Sequence, residues 1–416
     1  MLKMKNIKIY MIIAIILIIS LCPYRVFADD EDEIEEGIED LIIESAANPV
    51  DEPTINSKSA IVYDRETEEV IWGKFENEQR AMASTTKIMS AIVVLENANL
   101  YDVVTISKKA AGTGGSQLKI STGDKITVND LLYGLMLRSG NDAAVALAEH
   151  VGGSVEGFAE LMNRKASELG LTNTNFVTPH GLDDDNHYTT AYELAVITDY
   201  ALNNEKFATI VNTKSCSISI NGNSRDIYNT NELLGSLYGV DGVKTGFTGN
   251  ALRCLATSTT RDGHQIITIV LGADTKKQRT EDSIKLIEYA FKNYTRINVK
   301  EIVEKEFENW NQINSKRIYI NKGSEEVIKL ALDDIQRPVI PIKNGEKETI
   351  KVEINAIYNY EAPVEKGEKI GNVIVRKGDE IIESIDILCD KTVEKKDIYD
   401  YLKDLLFSIT NYKVIQ

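Results

Sequence analysis

Three short runs carry residue types that could do chemistry: Ser84-Thr85-Thr86-Lys87, Ser139-Gly140-Asn141 and Lys244-Thr245-Gly246. A hydroxyl followed three residues later by an amine supplies a nucleophile and a group to take its proton. A second hydroxyl with an amide, and a cation beside a glycine, supply the means to orient and polarise a bound carbonyl. Together these groups suit acyl transfer through a covalent serine ester. Each run is weak alone, so the elements around it must decide.

Ser84 opens an apolar run (Ile88, Met89, Ala91, Ile92, Val93, Leu95) with no Gly or Pro through Leu100, which predicts a buried helix starting at or just before Ser84. Positions three apart on a helix share a face, about 5–6 Å apart at Cβ, so Lys87 can reach the Ser84 hydroxyl. The helix start also offers free backbone N–H groups and the positive dipole end. A second Ser-x-x-Lys, Ser116 to Lys119, runs into the strand-and-turn pattern Ile120 to Asp124, with no helix to align the pair, and is set aside. A second Ser-x-Asn, Ser219-Ile220-Asn221, closes an alternating stretch at Asn221-Gly222, which is hairpin chemistry and reads as a solvent-facing strand end. Ser139-Gly140-Asn141 instead interrupts two helical runs, Leu131 to Leu137 and Ala143 to Ala148, where a tight polar connection can project both side chains into a cleft. Lys244-Thr245-Gly246 occurs once; Val243, Cys254 to Ser258 and Gln265 to Leu271 suggest antiparallel strands around it, and Gly246 would let a ligand backbone come close.

With these motifs in this order, the chain resembles the low-molecular-mass penicillin-binding proteins, the D-alanyl-D-alanine carboxypeptidases of bacterial cell-wall metabolism. The likeness includes Ala60 to Asp64 with Glu69 to Trp72, Met162 to Ala166 through Gly170-Leu171, Thr178-Pro179-His180-Gly181-Leu182 and Gly239 to Gly246, and it covers about residues 53 to 400. It implies an α/β (α+β) catalytic domain, an antiparallel sheet with a helical cluster, followed by a small all-β C-terminal domain and a terminal amphipathic helix. It also implies roles. Ser84 would attack the carbonyl of the penultimate D-alanine, Lys87 would take its proton, and Ser139 would relay that proton to the leaving amine. Asn141 would hold the substrate amide, Lys244 would supply positive potential, and Thr245 with Arg279 would bind the terminal carboxylate. The backbone N–H groups of Ser84 and Phe247, next to Gly246, would form the oxyanion hole. For Lys87 to act as a base, burial and the nearby Lys244 charge must disfavour its ammonium form. The implied partners are the peptidoglycan stem peptide and β-lactam antibiotics as covalent inhibitors, with no cofactor and no metal. Two residues depart from the family pattern: Leu252 stands where Gly is expected, and Glu193 where Asp is usual.

Other features read more plainly. His180 and His187 flank Asp183-Asp184-Asp185, but no two histidines have the i, i+4 spacing of a zinc hydrolase, so packing and loop hydrogen bonds are expected of them. Glu160 faintly resembles the deacylating glutamate of serine β-lactamases, yet sits in a helical pattern and is expected on a solvated face. A β-lactamase or transpeptidase on the same fold, or a wall-binding homologue without catalysis, are the alternatives to a carboxypeptidase.

The 416 residues carry a formal net charge of −17, which excludes nucleic acid as a partner. Lys3, Lys5 and Lys8 precede an apolar run from Tyr10 to Leu21, and Val26-Phe27-Ala28 offers a cleavage site, so residues 1–28 read as a secretory signal peptide and the enzyme as extracellular, on the cell-wall face. Cys22 makes a poor lipoprotein site, since Leu21 precedes it. Cys216, Cys254 and Cys389 are too few and odd in number for a disulfide framework. Residues 29–52 are an acidic, flexible linker; 53–294 the catalytic domain; 295–391 a β-sandwich, with Ile350, Val352, Ile354 and Ala356 alternating with polar residues. In 392–416, Ile398, Leu402, Leu405, Leu406 and Ile409 share one helical face opposite charged residues. Such a helix either anchors at a membrane surface or docks on its own β-domain.

Overall fold

The computed structural model describes residues 52–325 and 327–411. The expected signal peptide and nearly all of the acidic linker lie outside the described residues. Two compact units divide the described chain: residues 52–65 with 70–289, and residues 66–69 with 290–411.

The first unit opens with β1 (Ser59–Asp64) and β2 (Glu69–Lys74), then a 3-10 turn, Ala83–Thr86, that continues into α1 (Lys87–Asn97). There follow β3 (Val103–Thr105), α2 (Lys108–Ala111), β4 (Lys125–Thr127), α3 (Val128–Leu137), α4 (Asn141–Gly152), α5 (Val155–Glu168), α6 (Ala191–Leu202) and α7 (Glu205–Val211). The unit closes with β5 (Ser215–Ile220), β6 (Asn223–Tyr228), β7 (Val240–Thr248), β8 (Leu252–Arg261), β9 (His264–Ala273) and α8 (Lys276–Asn293). One sheet has the order β2-β1-β9-β8-β7, in which β1–β9, β9–β8 and β8–β7 pair antiparallel. Both faces of this sheet are covered, which is why its strands read as near-continuous apolar runs rather than strict alternation. Ile61 and Tyr63 join the main core, while Ala60 and Val62, on the opposite face, are equally buried, as are Ile284, Leu286 and Ile287 of α8. Strand β7 is the outer strand, so one of its edges stays free of sheet pairing.

Helix α1 is apolar on every side and becomes the central helix of the cluster, touching α3, α4, α5, α6 and α7. Four of its neighbours start at side-chain caps: Thr127 for α3, Ser154 for α5, Thr190 for α6 and Asn204 for α7, each accepting from first-turn N–H groups. Asn221 and Gly222 both have positive φ and close the β5–β6 hairpin, as their sequence suggests. Leu252 has φ 59°, a left-handed conformation that glycine enters freely and a leucine enters at about 1–2 kcal/mol. It lies opposite Thr248 at the β7–β8 hairpin end, past the Lys244 to Phe247 stretch, so the departure from Gly costs backbone strain at a corner and leaves that stretch intact.

The second unit holds a four-stranded sheet, whose members Leu330–Leu332, Glu380–Cys389, Lys369–Lys377 and Ile350–Ala356 are in that order, and two short strand pairs. Beyond the expected strands it contains a helix, Val299–Asn314, capped by Asn298. The signal for it was present: Val299, Ile302, Val303, Phe307 and Trp310 follow helical spacing and join the core with Val373, Val375, Ile385 and Ile387. The terminal helix, Ile398–Asn411, keeps Leu402, Leu405, Leu406 and Ile409 exposed and is not docked on the strands by that face. No helix among the described residues is long and apolar enough to cross a membrane. Cys216, Cys254 and Cys389 are free thiols.

Asp282 of α8, fully buried, fastens the start of the unit: it accepts bonds from Asn56 N (3.0 Å), Ser57 N (2.7 Å) and Ser57 Oγ (2.5 Å). Asp282→Ala should lower stability by about 2–3 kcal/mol and expose the chain before Ser59 to proteolysis. Urea denaturation and limited proteolysis measure both, and a change within error would show that the clamp contributes nothing.

Candidate active site

Ser84 is the second residue of the 3-10 turn that feeds α1, so the α-helix expected from Ser84 begins at Lys87, three residues later. The turn is tightly determined. Ala83 takes φ 48°, the Thr85 hydroxyl donates to Met82 O at 2.6 Å, and the Thr86 hydroxyl donates to Ala83 O at 2.8 Å. A Cβ at Gly181 would lie 1.9 Å from Ala83 O, so only glycine lets the 180–182 loop press against this turn. Ser84 keeps 8% exposure, whereas Lys87 is wholly buried.

Lys87 Nζ lies 2.7 Å from Ser84 Oγ, 2.8 Å from Asn141 Oδ1 and 2.9 Å from His180 O. The orientation of the Asn141 amide is settled by its other end, because Nδ2 donates to the carbonyl of Gly114 at 2.7 Å. Asn141 Oδ1 and His180 O can only accept, so two N–H bonds of Lys87 are committed to them. The Ser84 hydroxyl can accept or donate. As an ammonium, Lys87 donates to all three; as an amine, it turns its lone pair to the Ser84 O–H. The same geometry therefore serves both ends of a proton transfer without any side chain moving.

The Ser139-Gly140-Asn141 run forms the expected connection between α3 and α4, with Ser139 at φ 58°. Ser139 Oγ is buried without a hydrogen-bond partner, so its capacity is unspent. The discarded Ser116–Lys119 segment is an irregular loop, not a strand, and it has a structural role: Ser116 O accepts from Asn141 N at 2.8 Å. Asp142, 1% exposed, holds the same loop by accepting from Leu118 N (2.8 Å) and Ile120 N (3.2 Å).

The third run sits on edge strand β7. A Cβ on Gly246 would stand 3.1 Å from both Ser84 N and Ala83 Cβ, which places this strand directly against the nucleophile turn. Lys244, 1% exposed, donates to Thr245 O at 2.9 Å, and Thr245 Oγ1 lies 2.8 Å from Thr230 Oγ1. The Arg253 guanidinium stacks on the Phe247 ring, 3.8 Å from its centroid. Arg279 is buried in an ion pair with Glu232. Of the expected site residues, Ser84, Lys87 and Asn141 form one bonded group, and Gly246 touches it. Asn141 makes one bond from each end of its amide within the protein, and Arg279 is bonded to Glu232 instead of being joined to Thr245.

Several positioning residues were not legible beforehand. His187 Nδ1 accepts from Val177 N at 3.0 Å, so its proton is on Nε2, which donates to Thr86 Oγ1 at 2.7 Å and braces the nucleophile turn. His180 Nδ1 accepts from Leu182 N at 3.2 Å. Both histidines serve loop bonding, as their spacing suggested. Burial, then the Lys87 charge, then His187 hold His180 at a pKa of about 3. Burial holds His187 at about 4, opposed by Asp184. Glu160 is exposed on α5, the solvated face expected of it.

Comparison with known proteins bears on this arrangement. Residues 46–275 match the D-alanyl-D-alanine carboxypeptidase family, and residues 307–395 match the penicillin-binding protein 5 C-terminal domain. The chain is 33% identical over 363 residues to D-alanyl-D-alanine carboxypeptidase DacF of Bacillus subtilis, covering 86% of this chain and 91% of that one. Penicillin-binding protein 5 from Haemophilus influenzae has a similar structure, with a TM-score of 0.67, 29% identity and coverage of 83% and 100%. The Streptomyces K15 DD-transpeptidase matches with a TM-score of 0.56, 37% identity and coverage of 58% and 100%.

The two buried histidines predict acid sensitivity. Each titrates near 6.5 when unfolded and far lower when folded, so the unfolded chain binds more protons as pH falls. Stability is fully present above about pH 6.5 and should fall from there down to about pH 4 for His187 and about pH 3 for His180, by on the order of 3 and 5 kcal/mol respectively. Urea midpoints between pH 7 and 4 test this, and His187→Gln should flatten part of the slope. A flat profile in the native protein would refute it.

Proposed function

The chain belongs to the D-alanyl-D-alanine carboxypeptidase family, and from that membership and the site geometry we propose the following assignment of its chemistry. The protein is a D-alanyl-D-alanine carboxypeptidase, a hydrolase acting on peptidoglycan peptides, and it binds penicillin covalently as its family does. Ser84 is the nucleophile. Its Oγ forms a bond to the carbonyl carbon of the penultimate D-alanine as its proton passes to Lys87 Nζ, 2.7 Å away. The N–H groups of Ser84 and Phe247 receive the negative charge on the carbonyl oxygen. The C–N bond then breaks, and the proton reaches the leaving amine through Ser139, whose hydroxyl has no other partner. Water attacks the resulting ester and gives its proton to Lys87; the C–Oγ bond then breaks as Lys87 returns that proton to Ser84 Oγ, 2.7 Å away, restoring the hydroxyl and the amine. The 2.7 Å contact of a wholly buried lysine with this one serine carries the assignment.

Asn141 fixes the Lys87 amine between Ser84 and His180 O; these bonds use one lone pair of its Oδ1 and one hydrogen of its Nδ2, which leaves the second of each for a substrate amide. Lys244, Thr245 and Arg279 form the side of the site that a terminal carboxylate would approach. The exposed position of Glu160 offers no carboxylate for fast deacylation, which favours a carboxypeptidase over a β-lactamase. Ser84→Ala should abolish both D-alanine release, by about 10⁴-fold or more, and the penicillin adduct seen by intact-protein mass spectrometry. An adduct that survives would place the nucleophile elsewhere.

We further place the enzyme outside the cytoplasmic membrane, at its surface, with the helix Ile398–Asn411 as the contact. Its row of exposed leucines, with Phe407 and Tyr399, supports this, although its polar face is balanced in charge rather than basic. Removal of residues 395–416 should move the protein from the sedimenting membrane fraction to the supernatant. Unchanged sedimentation would remove the helix from this role.

A further inference from the structure

Arg279 is 1% exposed, and its Nη2 donates to Glu232 Oε1, which also accepts from the Thr280 hydroxyl at 2.6 Å. The pair is incompletely satisfied: Glu232 Oε2 and Arg279 Nε are both buried without a partner. Glu232 is not there by accident of a loose loop. Thr230 N donates to Leu137 O, Asn231 Nδ2 donates to Gly242 O at 3.0 Å, and Asn231 Oδ1 accepts from Leu233 N. That same short segment puts Thr230 Oγ1 2.8 Å from Thr245 Oγ1. Two residues of chain span about 7 Å, so the carboxylate is held close to the Lys244-Thr245 stretch. It is ionised there: burial opposes the charge, but Arg279, Thr280, its own backbone N–H and Lys276 outweigh burial and keep its pKa low.

We propose that Glu232 is an internal competitor for Arg279, a specificity-determining carboxylate that sets how strongly this site attracts the terminal carboxylate of a substrate or penicillin. This rests on the assignment of Ser84 as nucleophile and of the Lys244, Thr245 and Arg279 side as the carboxylate subsite. With Glu232 ionised, the Arg279 pair presents no net charge, and an arriving carboxylate meets repulsion from one partner as it is drawn to the other. Neutralising Glu232 returns one positive charge to a buried site, where Coulomb interactions are weakly screened.

The test is the second-order rate of covalent labelling by benzylpenicillin and by its methyl ester, followed by intact-protein mass spectrometry. Glu232→Gln should speed labelling by benzylpenicillin roughly tenfold and labelling by the uncharged ester less than about twofold. Glu232→Asp, which keeps the charge and shortens the chain, should stay within about twofold of the native rate for both; thermal unfolding checks that each variant is folded. Slower or unchanged labelling of Glu232→Gln, an equal gain with the ester, or the same behaviour in Glu232→Asp would overturn the proposal. A native protein that forms no adduct with benzylpenicillin would overturn the nucleophile assignment, and this proposal with it.

Discussion

A lysine amine with no exposure, bonded to a serine hydroxyl at 2.7 Å, is the contact around which this molecule is arranged. Burying an ammonium costs several kcal/mol unless acceptors replace water. Here two carbonyl oxygens, Asn141 Oδ1 and His180 O, do so, and they come from distant parts of the chain. They also fix the direction of the amine, since neither can donate. Of these three partners the serine can reverse its role, which is what a proton transfer requires. A site with three hydroxyl partners would not have this directionality.

Holding that contact calls for backbone conformations that most residues avoid. Ala83 and Ser139 both have positive φ, one immediately before Ser84 and one within the connection between two helices. Such conformations cost of order 1–3 kcal/mol each and persist only where the surroundings over-determine them. The surroundings do: Thr85, Thr86 and His187 bond the first turn, Gly181 presses on it, and Asp142 ties the loop whose carbonyls receive Asn141. The central helix α1, surrounded by five others, gives the whole group a rigid base. Edge strand β7 then closes on Ser84 at Gly246, a residue that carries no side chain.

Charge is distributed with equal care for place. Lys87, Lys244 and Arg279 are three buried basic side chains in an acidic chain of formal charge −17. Three of the partners of Lys87, Ser84 Oγ, Asn141 Oδ1 and His180 O, are neutral. Arg279 is tied to a full carboxylate, which offsets its charge. The difference in partner, amide against carboxylate, separates a group suited to proton transfer from one suited to electrostatic tuning.

The motifs, their elements and the family were legible because local pattern carries them. The apolar run after Ser84 makes a helix wherever it is placed, Asn221-Gly222 makes a hairpin, and the single Lys-Thr-Gly lies among strand formers. The helix Val299–Asn314 was equally legible in Val299, Val303 and Phe307, yet the alternation of the strands after it drew the reading toward an all-β module. What no spacing could give is partnership across the chain. His187 lies 101 residues from Thr86, Glu232 is 47 from Arg279, and Asn141 is 54 from Lys87. Residue type said that each could bond; only the packing of the helices against one sheet decided which of them meet. Local sequence sets the conformation of a segment, but the partner of a buried polar group is set by where the whole core brings its neighbours.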